Sequence, residues 1–386
     1  MRCLLLLCLF SVQIATSQTL SPNAEISVLT IGPGASLNDA FGHSGFRIKD
    51  NAQGIDVVFG YGEYDFNAPN FYLKFAQGKL NYLISKDTFE RFYKTYEYYN
   101  RTIKEQVLNL DQAEKQKLYN YLLNNYKPEN RAYLYDFFYD NCATKIRDVA
   151  DVVLNNTITF NEPDDYQPQT FRTLIHNNLD KNSWGSLGID IALGAVIDKV
   201  TTPEEQMFLP ENIHKFFSKA TAKAGKSLVS ESQVVFTKKE KLTASNIVSS
   251  PLVILGVIAV LIIWITYKDY KKGTRSKWLD LTLFMITGLI GVFLLLLWFA
   301  TDHSATAHNY NLLWAFALNL FMIGQLRRQK PKAWFSKYLK FLVIMLCLLV
   351  FHWVVGVQVF AITLIPLLIA LAIRYVYLVQ HYQINK

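Results

Sequence analysis

The sequence predicts an α+β domain on the outer side of a membrane, followed by a C-terminal bundle of about five transmembrane helices. Three observations lead to this prediction. The 386-residue chain opens with a short apolar segment of the kind that directs export. Residues 18–245 have the mixed composition of a soluble domain, whereas residues 246–386 are dominated by long apolar runs. A single soluble globule is therefore excluded.

The N-terminal segment, residues 1–17, is typical of a secretory signal peptide. Arg2 supplies a positive charge, an apolar core follows, and the small residues at 15–17 suit cleavage before Gln18. The apolar core has about a dozen residues, which is too few to span a bilayer. Cys8 lies between two leucines inside this core, so it does not resemble a lipoprotein cysteine. We therefore expect residues 18–245 to be exported.

Five later segments are apolar enough to cross a membrane. The loops after the first and third are rich in lysine and arginine, whereas 300–311 and the turn near Gly356 contain neither. Because basic loops remain in the cytoplasm, this pattern places residues 18–245 outside and the C-terminus inside. It also accounts for much of the net charge of +8, which then no longer indicates nucleic-acid binding. The predicted spans are 247–267, 279–299, 312–326, 339–355 and 357–379, of which the third and fourth are short.

Alternating runs and capped helical patterns predict a small antiparallel sheet with packed helices in the exported domain. Asp111 is a good N-cap for a helix over 111–127. The aromatic segment 133–139 is expected to be extended and to lead into a second helix. Helices are also expected over 184–200 and 207–217, where the chain approaches the membrane. The predicted strands are 25–31, 41–48, 55–61, 80–85 and 103–110.

Cys142 is the candidate nucleophile. Of the four cysteines, Cys3 and Cys8 belong to the signal peptide and Cys347 lies in the fourth span, which leaves Cys142 without a disulfide partner in the exported domain. Asp140 or Asn141 can cap the following helix, so that Cys142 falls in its first turn. A helix N-terminus favours negative charge and lowers the pKa of a thiol. The alternative interpretation is a buried, inert cysteine.

His43 is the candidate general base for this thiol. Gly42 precedes it directly and Gly45 lies two residues after it, and such small neighbours leave room for a substrate. His176 and His214 are rivals, although both lie in helical patterns. A third residue would orient the imidazole, and the following strand offers three candidates, of which we favour the first: Asp56, Tyr61 and Glu63. No spacing of ligands predicts a metal site, and no nucleotide-binding or GxSxG motif is present, so no cofactor is expected.

Two segments of the exported domain carry a family resemblance. FGHSGFRI at 41–48 and YDNCATKIRD at 139–148 resemble the Bacteroidetes-type lipoprotein N-acyltransferases (Lnb). The resemblance extends over about 27–217 and into the membrane part. It implies a fold similar to circularly permuted papain-like NlpC/P60 proteins, in which the histidine precedes the cysteine. The outer loop also resembles the family, with Asp302-His303 followed by Asn309 and Asn311, but Ser304 stands where family members usually have proline.

The resemblance implies an enzyme of the bacterial inner membrane that N-acylates the lipidated N-terminal cysteine of lipoproteins. A membrane phospholipid or a lipoprotein would donate the acyl group, and a diacylated lipoprotein would accept it. Cys142 would form an acyl thioester after His43 removes its proton, with Asp56 as the third catalytic residue. A cysteine hydrolase of the cell envelope and a non-catalytic receptor or assembly factor are the alternatives. The residues expected to contact substrate are Ser44, Arg47, Asn141, Ala143, His303, Asn309 and Asn311.

Overall fold

The computed structural model describes residues 19–223, 225–240 and 247–384. The predicted signal peptide, with Cys3 and Cys8, lies outside the described residues. The described chain forms an α+β domain followed by a bundle of long apolar helices, so the predicted combination of an α+β domain and a helical membrane region is confirmed.

A seven-stranded sheet forms the centre of the N-terminal domain. All its neighbouring strands are antiparallel, in the order β6-β4-β3-β2-β1-β5-β9. The strands are β1 (Glu25–Ile31), β2 (His43–Asp50), β3 (Ile55–Tyr64), β4 (Asn81–Thr88), β5 (Ile103–Leu108), β6 (Ala132–Leu134) and β9 (Val229–Phe236), while β7 (Thr221–Ala222) and β8 (Lys226–Ser227) pair separately.

Eight helices surround this sheet in the described part of the domain. They are α1 (Phe71–Ala76), α2 (Phe89–Tyr98), α3 (Gln112–Asn125), α4 (Cys142–Val153), α5 (Phe171–His176), α6 (Trp184–Ala192), α7 (Pro203–Gln206) and α8 (Pro210–Lys219). The predicted helix after Asp111 is confirmed as α3, because the Asp111 side chain accepts from the Glu114 N–H and the Glu114 side chain accepts from the Asp111 N–H. The pattern-based prediction did not identify α2, whose apolar side is almost entirely aromatic.

Apolar side chains are buried on both faces of the sheet, since successive side chains of a strand point to opposite faces. On one face, Ile26 and Val28 of β1 pack with the apolar sides of α3, α4 and α8. On the other face, Leu29 and Ile31 pack against the aromatic side of α2. Helix α4 therefore lies across the sheet with its N-terminus near the start of β2, and this arrangement positions Cys142.

The membrane region contains four described helices that are long and apolar enough to cross a bilayer. They are α9 (Pro251–Lys272), α10 (Lys277–Phe299), α12 (Trp334–Val354) and α13 (Ile365–Ile384), and a shorter helix, α11 (Asn319–Arg327), lies between α10 and α12. Helix α12 has 21 residues, which removes the difficulty that the predicted fourth span was too short.

The third predicted span, 312–326, is not a continuous helix. It begins as a 3-10 turn over Tyr310–Leu313 and becomes helical again only in α11. The irregular stretch between them lies directly on α10, where a Cβ atom at Gly291 would collide with the carbonyl oxygen of Ala315. Hydropathy alone does not detect this break, because the interrupted stretch is as apolar as a helix.

The interrupted segment nevertheless runs from one end of the bundle to the other. At its start, the Asn309 side chain donates to the carbonyl oxygen of Ile191 in the N-terminal domain, at 2.7 Å. At its end, the Arg275 guanidinium in the turn between α9 and α10 donates to the carbonyl oxygen of Leu326, also at 2.7 Å. Trp314, Ala315 and Ala317 of the non-helical stretch are buried, whereas Leu318 is 46% exposed. Irregular backbone within a membrane is tolerated where protein covers it.

A charged cluster lies inside the bundle near the turn between α9 and α10. The fully buried Arg374 donates to Asp280 and to Asp269, each at 2.7 Å, and Arg275 lies 3.4 Å from Asp280. Two arginines and two aspartates balance in formal charge. Charges are tolerated in a bilayer interior when they are paired in this way.

We expect Arg374→Leu to destabilise the protein by about 3–5 kcal/mol, because the buried carboxylates of Asp269 and Asp280 lose the positive charge that pairs with both of them. The measurement is the thermal unfolding midpoint of the full chain in detergent micelles. Arg328→Leu is the matched control, since Arg328 is exposed and has no buried carboxylate partner among the described residues. Equal midpoints for the two variants would contradict a stabilising role of the cluster.

Candidate active site

Cys142 is the first residue of α4, and Asn141 is its N-cap. The Asn141 Oδ1 accepts from the N–H groups of Ala143 and Thr144, at 2.8 and 2.9 Å. The Thr144 hydroxyl accepts from the Asn141 N–H at 2.8 Å, which completes a reciprocal cap. The predicted position of Cys142 in the first helical turn is therefore observed, with Asn141 rather than Asp140 as the cap.

The Asn141 side chain is occupied by the protein itself. Besides its two acceptor contacts, its Nδ2 donates to the carbonyl oxygens of Phe137 and Phe208, at 2.7 and 2.8 Å. The structure thus gives Asn141 a positioning role and not the expected contact with substrate. The Ala143 N–H is also engaged by Asn141 Oδ1, so an oxyanion contact would have to share that N–H or use another amide.

His43, the first residue of β2, lies beside the same end of α4. A Cβ atom at Gly60 would be 3.2 Å from the His43 Nε2, and one at Gly62 would be 4.0 Å from the Cys142 Cβ. The two glycines are two residues apart on β3, so the imidazole and the cysteine lie over neighbouring positions of one strand. The backbone N–H of Ser44 also interacts with the Cys142 sulfur. The structure therefore brings the predicted nucleophile and base together.

Arg101 and Tyr96 complete the surroundings of this pair, and neither belongs to a recognisable sequence motif. The Tyr96 ring stacks on the His43 ring with centroids 6.4 Å apart, and the Arg101 guanidinium lies 5.0 Å from the Tyr96 centroid. Arg101 is held by a 2.9 Å hydrogen bond to the Gly32 carbonyl oxygen. Its positive charge acts on both His43 and Cys142.

Both side chains are uncharged at physiological pH. Burial raises the pKa of the Cys142 thiol to about 11, although nearby backbone N–H groups and Arg101 favour the thiolate. Burial, and to a smaller extent Arg101, lowers the pKa of His43 to about 4. Desolvation thus outweighs the lowering expected from the helix N-terminus. A neutral imidazole can accept a proton, but the gap between the two pKa values means that it does not take the proton from the resting thiol.

Two tyrosines also adjoin the thiol. A Cβ atom at Gly62 would be 3.9 Å from the Tyr133 hydroxyl and 3.9 Å from the ring of Tyr135. Gly62 has a φ of +98° at an irregularity in the β3–β4 pairing, a conformation that favours glycine. Among the described atoms, the buried Tyr133 hydroxyl has no hydrogen-bond partner.

The structure does not place Asp56 beside His43. Asp56 is opposite Lys49 in the β2–β3 pairing, six residues along β2 from His43, or about 20 Å at the usual rise per residue. Its carboxylate accepts two 2.8 Å hydrogen bonds from Arg47, which also bonds to Glu105 and lies 3.3 Å from the centroid of the Phe89 ring. Asp56 and Arg47 thus belong to a structural ion-pair network.

The other candidates for a third catalytic residue are also engaged or distant. The Tyr61 hydroxyl donates to Asn125 at 2.7 Å, and Glu63 is exposed. Across the described ranges, no side chain hydrogen-bonds to the His43 ring. The Ser44 side chain is buried, and its hydroxyl has no partner in the described structure, so its nearest link to the site is its backbone N–H.

Asn309 and Asn311 join the two domains. The Asn309 side chain donates to the backbone carbonyl oxygens of Ile191 and Ala192. The Asn311 side chain donates to the backbone carbonyl oxygen of Asp190, and all three carbonyl groups lie near the C-terminus of α6. Both side chains are buried and are not placed to contact a substrate, because they satisfy carbonyl groups that the end of a helix leaves unpaired.

His303 and Ser304 bring the outer loop close to the segment that precedes Cys142. A Cβ atom at Gly78 would be 3.1 Å from the His303 Nδ1, so this ring lies against the turn after α1. The Ser304 hydroxyl donates to Asp136 at 2.7 Å. The departure from the family pattern at Ser304 therefore provides a direct contact with the 135–141 segment.

The remaining histidines and potential ligand groups lie elsewhere. The rival His176 bonds to Asp190 at 2.9 Å, and His214 lies in α8. Within the described parts of the chain, no three His, Cys, Asp or Glu side chains come together in a way that could hold a metal ion.

Comparisons with known protein families agree with the division of the chain into two parts. Residues 12–177 match the family profile described as the Lnb N-terminal periplasmic domain. Residues 243–385 match the profile described as the Lnb transmembrane domain. No curated protein and no solved structure matches the chain significantly. His43 and Cys142 both lie within the first matched region.

We expect the rate of Cys142 alkylation by iodoacetamide to rise about tenfold per pH unit from pH 7 to pH 10, because only the thiolate reacts and its pKa is about 11. The measurement is the labelled fraction by peptide mass spectrometry in a Cys347→Ser background. A rate that levels off near neutral pH would instead show a thiolate paired with an imidazolium.

At a fixed pH, Arg101→Gln is expected to lower this alkylation rate, because it removes the cation that favours the thiolate. Asp56→Asn is the matched control and should leave the rate unchanged, since Asp56 binds Arg47. A decrease in the Asp56→Asn variant with no change in the Arg101→Gln variant would contradict the assignment of these two residues.

Proposed function

Because the chain belongs to the Lnb family of membrane-bound lipoprotein N-acyltransferases, we propose that Cys142 carries the transferred acyl group as a thioester and that His43 is its general base. The observation that carries the proposal is the placement of a capped cysteine and an uncharged histidine over neighbouring positions of β3. We propose further that the donor is an acyl ester of a membrane phospholipid or a lipoprotein.

In the first step, the His43 imidazole accepts the Cys142 proton while the sulfur attacks the ester carbonyl. The tetrahedral intermediate then breaks its carbon–oxygen bond, and the imidazolium returns the proton to the departing alkoxide as an alcohol. The products are the acyl thioester and a deacylated lipid. Since both groups are neutral at rest, proton transfer accompanies the attack on the carbonyl and does not precede it.

In the second step, the α-amine of the diacylated N-terminal cysteine attacks the thioester carbonyl. The carbon–sulfur bond breaks, an amide forms, and the proton lost by the amine passes through His43 to the sulfur. A thioester suits this step because amines attack it readily, and dividing the transfer into two steps lowers each barrier. The N–H groups of Ser44 and Cys142 are the proposed donors to the oxyanion.

The position of the site at the membrane supports lipid substrates. Loop 300–311 follows α10, and its Ser304 bonds to Asp136, six residues before Cys142. We propose that this loop faces the periplasm, that the basic turn at 268–277 faces the cytoplasm, and that the C-terminus is cytoplasmic. In support of the last point, the Tyr377 hydroxyl near the end of α13 donates to the carbonyl oxygen of Thr274 in that turn.

In a strain without the enzyme, we expect Cys142→Ala to restore no N-acylation of lipoproteins and His43→Ala to restore about 10²–10⁴-fold less than the wild type. Mass spectrometry of lipoprotein N-termini measures the outcome, with expression checked by immunoblot. Cys347→Ser and Asp56→Asn are controls that should complement fully. Full complementation by Cys142→Ala would overturn the mechanism and favour a non-catalytic role.

The thioester itself can be trapped. Full-length protein in vesicles that contain donor lipid but no acceptor is expected to gain one acyl mass on Cys142, which hydroxylamine removes. Cys142→Ala should gain none. If the wild-type protein completes the overall transfer but never shows this adduct under single-turnover conditions, the covalent intermediate is refuted. Release of free fatty acid or cleavage of envelope peptides in place of transfer would support the hydrolase alternative.

A further inference from the structure

An unusually exposed group of apolar side chains surrounds α1. Phe66 is 70% exposed and Tyr72 is 83% exposed, while three neighbouring side chains are between 39% and 58% exposed. Contiguous apolar surfaces of this kind mark binding sites more often than single exposed residues do. We call this group the aromatic rim, and it consists of Tyr64, Phe66, Tyr72, Leu73 and Phe75.

The inner side of α1 connects the aromatic rim to the candidate active site. Phe71 is buried beneath the rim, with its ring centroid 4.9 Å from that of Phe66. Tyr64 of the rim contacts Tyr82 at 4.8 Å, and Tyr82 stacks on Tyr135 at 4.2 Å. Tyr135 is one of the two tyrosines that adjoin Gly62 and Cys142. An unbroken series of aromatic side chains therefore runs from the exposed rim to the thiol.

The turn after α1 is attached to the outer end of α10. The Asp302 N–H donates to the carbonyl oxygen of Gln77 at 2.8 Å, and Lys79 lies 3.9 Å from the Asp302 carboxylate. Asp302 is three residues beyond Phe299, where α10 ends, and Phe299 is itself 72% exposed. Exposed aromatic residues at the end of a transmembrane helix lie at the level of the lipid head groups. The aromatic rim therefore continues a surface that faces lipid.

We propose that the aromatic rim is embedded in the periplasmic leaflet of the membrane and that acyl chains pass along it to Cys142. The passage of acyl chains rests on the proposed function, whereas the embedding of the rim does not. Lys79 is exposed beside the rim, and its 3.9 Å separation from Asp302 leaves its amine able to contact an anionic phosphate head group. A lipid surface fits better than a protein partner, because the rim is joined to the end of a membrane-spanning helix and α1 is too short to form a groove of its own.

The first experiment tests the embedding of the rim without reference to activity. A nitroxide is attached to Tyr72→Cys in full-length protein whose four native cysteines are replaced by alanine, in vesicles of phosphatidylethanolamine and phosphatidylglycerol. Collision with oxygen and with a water-soluble nickel chelate is measured by electron paramagnetic resonance. We expect the Tyr72 label to lose most of its collisions with the nickel chelate.

Gln53→Cys is the matched control, because Gln53 is exposed in the β2–β3 turn at the opposite end of the sheet from His43. Its label should collide freely with the nickel chelate. Equal nickel accessibility at the two positions would overturn the embedding of the rim. Protection at position 72 from the nickel chelate without an increase in collisions with oxygen would point to a covering protein segment and would also overturn it.

The second experiment tests the passage of acyl chains. The Tyr72→Ser/Leu73→Ser/Phe75→Ser variant should form the acyl adduct on Cys142 about tenfold more slowly from vesicle lipid, since three apolar side chains no longer enter the leaflet. Its alkylation by iodoacetamide should be unchanged, which shows that the site is folded. Tyr121→Ser/Val152→Ser, which alters exposed apolar residues on α3 and α4, is the control and should keep the wild-type rate.

The outcomes separate this inference from the proposed function. If the wild-type protein forms no adduct, the thioester mechanism fails, while the nitroxide result still decides whether the rim is embedded. If the wild type and the triple variant form the adduct at equal rates, the thioester mechanism stands and the role of the rim in acyl passage is refuted.

Discussion

The side chain of Asn141 is the contact on which the rest of the site depends. Its oxygen caps α4 through two backbone N–H groups, and its nitrogen binds the carbonyl oxygens of Phe137 and Phe208. One amide thus joins the start of the helix to the aromatic segment before it and to the chain that leads into α8. Because three of these four hydrogen bonds are buried, the loss of this side chain would leave buried polar groups unpaired, at a cost of about 1–3 kcal/mol each.

Burial determines the electrostatic state of the site. Cys142 is buried at the capped start of α4. Its desolvation there raises the pKa of the thiol more than the surrounding N–H groups and Arg101 lower it. The same burial keeps His43 uncharged. A neutral pair has two consequences for chemistry next to a membrane. In the proposed mechanism, it avoids placing an ion pair beside lipid, and it restricts formation of the thiolate to the moment when a carbonyl is present to accept the sulfur.

The membrane region contributes to the geometry of the site as well as to its location. Asn309 and Asn311 hold the end of α6, and Ser304 binds Asp136 in the segment that leads to Cys142. The buried Arg172 adds to this junction by binding Asp198 and Asp190, while the backbone of Val359 binds Asp198. The two domains therefore meet through many directional contacts.

The features that the sequence determined by itself are those that depend on neighbouring residues. The long apolar runs identified the membrane region, and the capping pattern placed Cys142 at a helix start, because hydropathy and N-cap chemistry act over a few residues. The chemistry of the two side chains pairs Cys142 with His43, the family resemblance gives the same pair, and both lie beside β3. Nearness in sequence to His43 favours Asp56 as the third catalytic residue, but the β2–β3 pairing places it about 20 Å along the strand, where it binds Arg47.

Only the tertiary structure decided which distant residues share an environment. Arg101 and Tyr96 surround the reactive pair through contacts that no local pattern encodes, and the raised pKa of Cys142 follows from the packing of the whole domain around it. The break in the third membrane segment has the same origin, because it depends on the close approach of its backbone to Gly291 and on its bonds to α6. Desolvation and long-range contacts are properties of the folded assembly, so they emerge only when the elements are packed together.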